Sequence, residues 1–448
     1  MFRRKLQRGY SGFLILTTLA RGIRRLVVVF VILSAAALPV RAQQKWVGSW
    51  AASQQLVEPH NSISAEDRTD VTLRQIVHLT IGGAKLRLHL SNRYGSLPLH
   101  IASVHIARPV SADSSTISRA SDQALAFSGR SDVTIPAGAD YLSDPVGYSV
   151  APLSDLAITI HLETVPTDQT GHPGSRATSY LVHGDQVVAV ELSNATQIEH
   201  WYFIAGIDVL APSSAASAVA LGDSITDGHG ATTNGNDRWP DLLARRLQAI
   251  PQTRTIAVLN HGIGGNRLLL NGLGPSALAR FNDDVIAQAG VRWLIVLEGI
   301  NDIGMLGRTG KATPAEHEQL VNEIIGAYQQ IIERAHTHGI IVAGGTLLPF
   351  MGSDFYHPGP AGEADRQLVN KWIRTSGHFD AVIDFDQVMR DPANLDHLLP
   401  KFDSGDHLHP SPAGYAAMAD AVSLAFFMPA KVLGRMRPAT ARSAASHK

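Results

Sequence analysis

The stretch Val219-Ala-Leu-Gly-Asp-Ser-Ile-Thr-Asp-Gly228 decides the fold. Ala218 to Leu221 form an apolar run that reads as a buried strand. Gly222-Asp223-Ser224 then turns the chain, and a helix is expected to begin near Arg238-Trp239-Pro240. A serine just past the carboxyl end of a parallel strand stands where open α/β sheets place reacting groups. Ser224 is therefore a candidate nucleophile. Asp223-Ser224 also fits a plain turn or helix N-cap, and on these ten residues alone that is the commoner reading.

Outward from this stretch the period is that of an α/β protein. Strand-like runs at Ala218–Leu221, Ile256–Leu259, Trp293–Leu297, Ile340–Ala343 and Ala381–Asp384 alternate with helical segments. The helices are expected near Arg238–Ala249, Ala277–Gln288, Pro314–His338, Ala361–Ser376 and Pro412–Phe427. Within Pro314–His338, Leu320, Ile324, Ala327, Ile331 and Ala335 make one apolar stripe. Such alternation specifies a parallel sheet covered on both faces.

Residues 43–210 read as mostly β. Val77, Leu79 and Ile81 alternate with polar neighbours, Gly82-Gly83 can turn the chain, and Leu86, Leu88 and Leu90 alternate again. That pattern predicts a hairpin with one wet face. A similar alternation runs from Leu156 to Leu162. A two-sheet, jelly-roll-like sandwich is the expected architecture. Trp46, Trp50, Tyr94, Tyr180, Trp201 and Tyr202 could form a sugar-stacking surface, although aromatics in such a domain are more often core. Ala211–Ser217, small and polar, marks the junction between an accessory domain over 43–210 and a catalytic domain over 211–428.

The ends of the chain read differently. Residues 1–42 carry eight basic and no acidic residues, an apolar run from Leu26 to Leu38, and Val40-Arg41-Ala42. This is the pattern of a cleaved secretory signal, and it points to a secreted or periplasmic protein with no stable membrane anchor after cleavage. An uncleaved anchor is the alternative, but thirteen apolar residues fall short of the roughly 20 that span a bilayer. The tail 429–448 has no periodicity and is expected to be disordered. Of 38 Lys+Arg, 30 remain after residue 42, against 39 Asp+Glu, a net charge of −9. An acidic body argues against nucleic acid as a partner. The chain has no Cys, hence no disulfide and no lipid-attachment thiol.

Three further strand ends carry chemistry. Asn260-His261-Gly262-Ile263-Gly264-Gly265-Asn266 can bring backbone N–H groups close to a bound atom. A tight turn or a dinucleotide loop are its other readings, and the spacing misses the dinucleotide fingerprint. In Gly299-Ile300-Asn301-Asp302 the Asn301 amide can donate to an oxyanion or simply close an Asx turn. Asp406-His407-Leu408-His409-Pro410 places an Asp and a His three residues apart, where the Asp can orient the imidazole. A metal site over Asp396, His397, Asp403, Asp406, His407 and His409 is the rival there. No second acidic or His cluster completes a coordination set.

Together the four stretches resemble the SGNH, or GDSL-type, hydrolase family over about residues 217–427. The motifs are Gly-Asp-Ser-Ile-Thr-Asp-Gly, Asn-His-Gly-Ile-Gly-Gly-Asn-Arg-Leu, Leu-Glu-Gly-Ile-Asn-Asp-Ile-Gly and Asp-His-Leu-His-Pro. Ile225 stands where the family name has Leu. Arg238–Leu247 and the β-rich front half look similar to a secreted branch that includes xylanase-associated esterases. The resemblance implies a three-layer α/β/α, flavodoxin-like catalytic domain. It implies Ser224, Asp406 and His409 as catalytic residues, and an oxyanion hole of Ser224, Gly265 and Asn301. No cofactor or metal is implied. The expected substrate is a small-molecule or polysaccharide ester, with acetyl groups on carbohydrate favoured. A lipid or phospholipid esterase is the alternative within enzymes, and a carbohydrate-binding protein with an inactive hydrolase domain the alternative outside them. The loop Thr346–Pro358 is expected to border the pocket or to be a solvated connector.

Overall fold

In the computed structural model, residues 43–308 and 310–428 are described. Residues 1–42, read above as a secretory signal, and the tail 429–448 lie outside the described residues. The front half is built from antiparallel strands, the longest of them rich in β-branched and Leu residues: β1 (Gln44–Ala51), β2 (Thr69–Leu79), β3 (Leu86–Ser91), β4 (Ser154–Thr164), β5 (Thr170–His172) and β6 (Ile204–Pro212). One sheet runs β1, β6, β3 and the short strand Asp140–Leu142. A second has β2 and β4 at its centre, paired from Leu79 opposite Ser154 to Thr69 opposite Thr164. Leu73, Val77, Leu156 and Ile160 of the second sheet share a core with Leu86, Leu88, Ile207 and Val209 of the first. This is a β-sandwich. A small third sheet pairs β5 with Gln55–Leu56 and Trp201–Tyr202.

Two expectations fail in this half. β2 and β3 are not a hairpin: they lie in different sheets. Gly83 instead exchanges backbone hydrogen bonds with Val150, and a Cβ on Gly82 would sit 2.6 Å from the Val150 carbonyl oxygen. The glycines thus carry the chain around a crowded corner between sheets, which neither alternation nor a Gly-Gly pair distinguishes from a turn. Nor does β2 have a wet face. Arg74, fully buried, donates to Thr159 Oγ1 and to the carbonyls of Ser115 and Ala189, so two loops close over that side. Trp50, Tyr180, Trp201 and Tyr202 are core residues. They form no open stacking surface.

Only residues 213–215 connect β6 to the second half. There β7 (Ala216–Gly222), β8 (Ile256–Gly262), β9 (Val291–Leu297), β10 (Ile341–Gly345) and β11 (Ala381–Ile383) form one parallel sheet in the order β8-β7-β9-β10-β11. The first strand lies between the second and third, the flavodoxin-like order, with its switch point beside β7. The helices are α1 (Ser224–Asp227), α2 (Trp239–Gln248), α3 (Ala277–Phe281), α4 (Ile300–Gly307), α5 (Pro314–Thr337), α6 (Pro360–Thr375), α7 (Phe385–Met389) and α8 (Pro412–Ala421). α2 packs on α8, and α5 on α6, in a three-layer α/β/α arrangement. α5 starts where Thr313 and Glu316 make a reciprocal capping box. Its Ile324, Ala327, Ile331 and Ala335 are buried as the stripe requires.

The helix at Ala277 is shorter than expected because a π turn over Asn282–Ile286 continues it. α8 ends at Ala421 rather than Phe427, and a separate 3-10 turn follows at Leu424–Phe427. From Gln44 to Met428 the described residues pack as one compact unit. The two cores touch: Ala51 packs into that of the parallel sheet and Ala257 into that of the sandwich. No helix among the described residues is long and apolar enough to cross a membrane.

Candidate active site

The parallel register aligns three strand ends. Gly222 of β7 lies opposite Gly262 of β8 on one side and Leu297 of β9 on the other. Whatever follows each strand therefore emerges at one edge of the sheet. After β7, Asp223 is the N-cap of α1 and accepts the Ile225 N–H at 2.9 Å. Ser224 opens the helix, and Gly228, at φ 105°, closes it. The turn-and-cap reading of Asp223-Ser224 is thus correct locally, and it is also how Ser224 is held. A Cβ on Gly222 would lie 2.2 Å from Thr226 Oγ1 and 2.5 Å from the Leu297 carbonyl oxygen, so the turn tolerates no side chain there.

The loop before α8 brings His409 to the serine. Ser224 Oγ and His409 Nε2 are 2.8 Å apart, and His409 Nδ1 lies 2.6 Å from Asp406 Oδ2. A carboxylate only accepts, so Nδ1 carries the proton and Nε2 offers a lone pair to the serine hydroxyl. Asp406 Oδ1 also accepts the N–H groups of Leu408 and His409. Burial opposes ionisation of Asp406, but the bond and charge from His409 and these two N–H groups outweigh it. They hold the carboxyl well below the ordinary range.

The clustered acids and histidines of this loop sort into separate pairs. His397 is bound to Asp396, and His407 Nδ1 lies 2.6 Å from Asp403 Oδ2 with its ring half exposed. They do not converge as the metal reading required. His229, Asp406 and His409 do bring ligand atoms within 4.8 Å of one another. Asp406 is already bonded to His409 and His409 to Ser224, while His229 Nε2 faces Asp406 Oδ2 at 3.8 Å and its Nδ1 lies 3.0 Å from Arg176 Nη2.

Asn301 follows the end of β9 as expected and sits in the first turn of α4, because Gly299 at φ 118° starts the helix immediately. Its Nδ2 donates to the Asn266 carbonyl at 2.7 Å, and its Oδ1 accepts from Tyr356 at 2.5 Å. One amide proton remains free to face the pocket. Gly265 has φ 69°, and a Cβ there would meet Leu273 Cδ1 at 2.6 Å. Among the described residues neither the Ser224 nor the Gly265 N–H has a protein acceptor. Asp302 holds this loop against α4 by accepting the N–H groups of Leu268 and Leu269. Arg280, buried, ties the carbonyls of Gly222 and His261 to Asp284 and to Ser53 of the front half.

Behind the serine lie acids that burial keeps from ionising easily. Asp223 is pushed up to about 7, and Asp302 to about 6. Glu298 is fully buried and raised well above its ordinary value by burial and by Asp223.

All five residues proposed from sequence line one open cavity of about 710 Å³. The 346–358 loop does border it, through Ser353, Asp354, Phe355 and Tyr356. Sequence reasoning missed His229 and Arg176. The His229 ring stands 4.1 Å from that of His409. Burial, then His409 and Arg176, push its pKa down to about 4. His229 follows the first motif directly, a usable signal, whereas Arg176 sits in a front-half turn with none.

Residues 220–417 match the model of the GDSL-like lipase/acylhydrolase family. No curated protein matches the chain. Among solved structures, a GDSL-like lipase from Bacteroides thetaiotaomicron VPI-5482 is similar at 19% identity. It covers 47% of this chain and 87% of its own, with a TM-score of 0.34. Axe2, an acetylxylan esterase from Geobacillus stearothermophilus, is similar at 21% identity, over 46% of this chain and 91% of its own, with a TM-score of 0.35. The stretch that carries Ser224, Gly265, Asn301, Asp406 and His409 is thus the stretch similar to the GDSL-like lipase/acylhydrolase family.

Proposed function

We propose that the protein is a serine esterase acting on short-chain esters, acetyl esters of carbohydrate foremost, outside the cytoplasm. The observation that carries this reading is the unbroken chain Ser224 Oγ–His409 Nε2, His409 Nδ1–Asp406, with links of 2.8 and 2.6 Å. His409 takes the Ser224 proton as Oγ attacks the ester carbonyl carbon. The oxyanion is held by the N–H groups of Ser224 and Gly265 and by the free amide proton of Asn301. His409 then gives its proton to the departing alcohol oxygen, leaving an acyl-serine. A water, deprotonated by His409 in turn, releases the acid and restores the serine. No step requires a metal or organic cofactor.

A small acyl group is favoured because Leu273 and Tyr356 crowd Gly265 and Asn301, beside which the acyl substituent must lie. Residues 1–42 are taken as the signal that exports the protein, 43–210 as the accessory domain and 211–428 as the catalytic domain. A lipid ester is the second reading, favoured by Leu273 (48% exposed) and Phe355 (53%) at the cavity mouth. Ser224→Ala tested on 4-nitrophenyl acetate should lose at least about 1000-fold in kcat. Hydrolysis retained by that variant would end the proposal. Rates on 4-nitrophenyl esters of rising chain length separate the two readings: a fall beyond butyrate favours short acyl groups, and a rise favours lipid.

A further inference from the structure

The front half reaches into the catalytic cavity, and chemistry fixes which part of the substrate meets it. Once His409 holds the Ser224 proton, that proton can leave only to an oxygen within hydrogen-bond reach of Nε2. The leaving alcohol therefore lies on the His409 side. The ring against His409 is His229, and the group bonded to His229 is Arg176 of the sandwich. The opposite side, next to Gly265 and Asn301, carries Leu273 and the ring of Tyr356, whose hydroxyl is spent on Asn301.

The sandwich residues lining the cavity are polar and held in place. Glu58 accepts from Gln55 Nε2 at 2.8 Å and Asn61 Nδ2 at 3.1 Å. His200 Nδ1 donates to the Pro173 carbonyl at 2.6 Å, which leaves Nε2 as an acceptor. Arg176 has no carboxylate within 4.0 Å among the described residues, and its backbone sits at φ 49°, a strained position for a non-glycine residue. The segment bearing Arg176 is locked to the nucleophile helix. His172 Nε2 lies 2.9 Å from Asp227 Oδ1, both buried, and a Cβ on Gly174 would fall 1.9 Å from Asp227 Oδ2.

We propose that Glu58, Asn61, Arg176 and His200 form the leaving-group subsite, and that it selects an uncharged, hydroxyl-rich alcohol. This rests on the serine-esterase reading above. A rigid wall that offers a carboxylate, an imidazole nitrogen and a guanidinium is matched by hydroxyls, which both donate and accept. An alkyl alcohol would strip water from all three and return no hydrogen bond. On this account the sandwich is half of the substrate pocket rather than a separate sugar-binding module.

The test compares two acetates that form the same acetyl-enzyme, a mono-acetylated pentose and hexyl acetate, in the full-length protein. The readout is the ratio of their kcat/KM values. The wild type should favour the sugar ester, and Arg176→Ala should lower the ratio roughly 10-fold, the cost of one lost hydrogen bond to a charged group. Glu58→Gln, which keeps an acceptor and the fold, should lower it less. A ratio unmoved in both variants, with Tm held, overturns the proposal. So does a shift in preference between the acetate and butyrate of one alcohol, which would make this wall the acyl side. Failure of the wild type to cleave either acetate would count against the esterase reading itself, a separate result.

Discussion

The two halves of this molecule meet at one cavity, but their residues arrive there differently. In the parallel half, Ser224, Gly265 and Asn301 emerge within four residues of aligned strand ends, and a loop on the same edge adds His409 and Asp406. In the front half, Glu58, Arg176 and His200 come from turns far apart in sequence, fixed by bonds to residues of either half. Sheet topology alone assembles the first group, and long-range packing is needed for the second. The lesson is that chemistry and selectivity can share a pocket while resting on different structural supports.

If this contrast is right, substitutions should separate cleanly. The largest effect is expected at His409. His409→Ala should cut kcat on 4-nitrophenyl acetate by about 1000-fold or more with Tm little changed. His407→Ala, two residues away with an equally short Asp contact but a solvent-facing ring, should stay within a few-fold of wild type. Equal losses in both would erase the distinction between a reacting pair and a structural one.

His172→Ala attacks the other support. It leaves Asp227 buried without its partner, a loss of about 3–5 kcal/mol in comparable buried pairs. Thermal unfolding should show a clear drop in Tm, while kcat of the folded fraction changes far less. An unchanged Tm would mean that this clamp between the halves carries no weight.

The smallest effect concerns pH. Asp223 titrates near 7 when folded and near 3.8 when free, because burial disfavours its charge. Between those values the folded state holds the extra proton, so this group's contribution to stability is full below pH 3.8 and is lost as pH rises through 7. Asp302 and Glu298 shift in the same direction. Asp223→Asn keeps an acceptor for the Ile225 N–H but carries no charge. Relative to wild type, the variant should gain stability between pH 5 and pH 8 in urea titrations. A constant difference across that range would show that Asp223 does not titrate there.

The same contrast explains what could be read in advance. The α/β alternation was legible because buried parallel strands and amphipathic helices impose their own periods on the chain. The convergence of Ser224, Gly265, Asn301, Asp406 and His409 on one cavity was legible because each belongs to a motif that follows a strand of the parallel sheet or precedes its last helix. Even the choice of His409 over His407 followed motif spacing. The corner at Gly82-Gly83 was not legible, since the alternation of Leu79 to Leu86 is identical whether the next strand pairs or changes sheet. What was not legible is that Asn301 stands in a helix, because nothing in Gly-Ile-Asn-Asp announces that one begins at Ile300. Arg176 and Glu58 carried no signal at all: a polar residue in a turn looks solvated until the other half packs beside it.

The central claim is that Ser224 is the nucleophile of this constellation. The most direct measurement is covalent trapping with a fluorophosphonate, followed by intact-mass and peptide mass spectrometry. One adduct per chain, on the peptide containing Ser224, formed in step with loss of esterase activity, is the expected result. Complete inactivation with Ser224 unmodified, or full modification of Ser224 with activity intact, would contradict it.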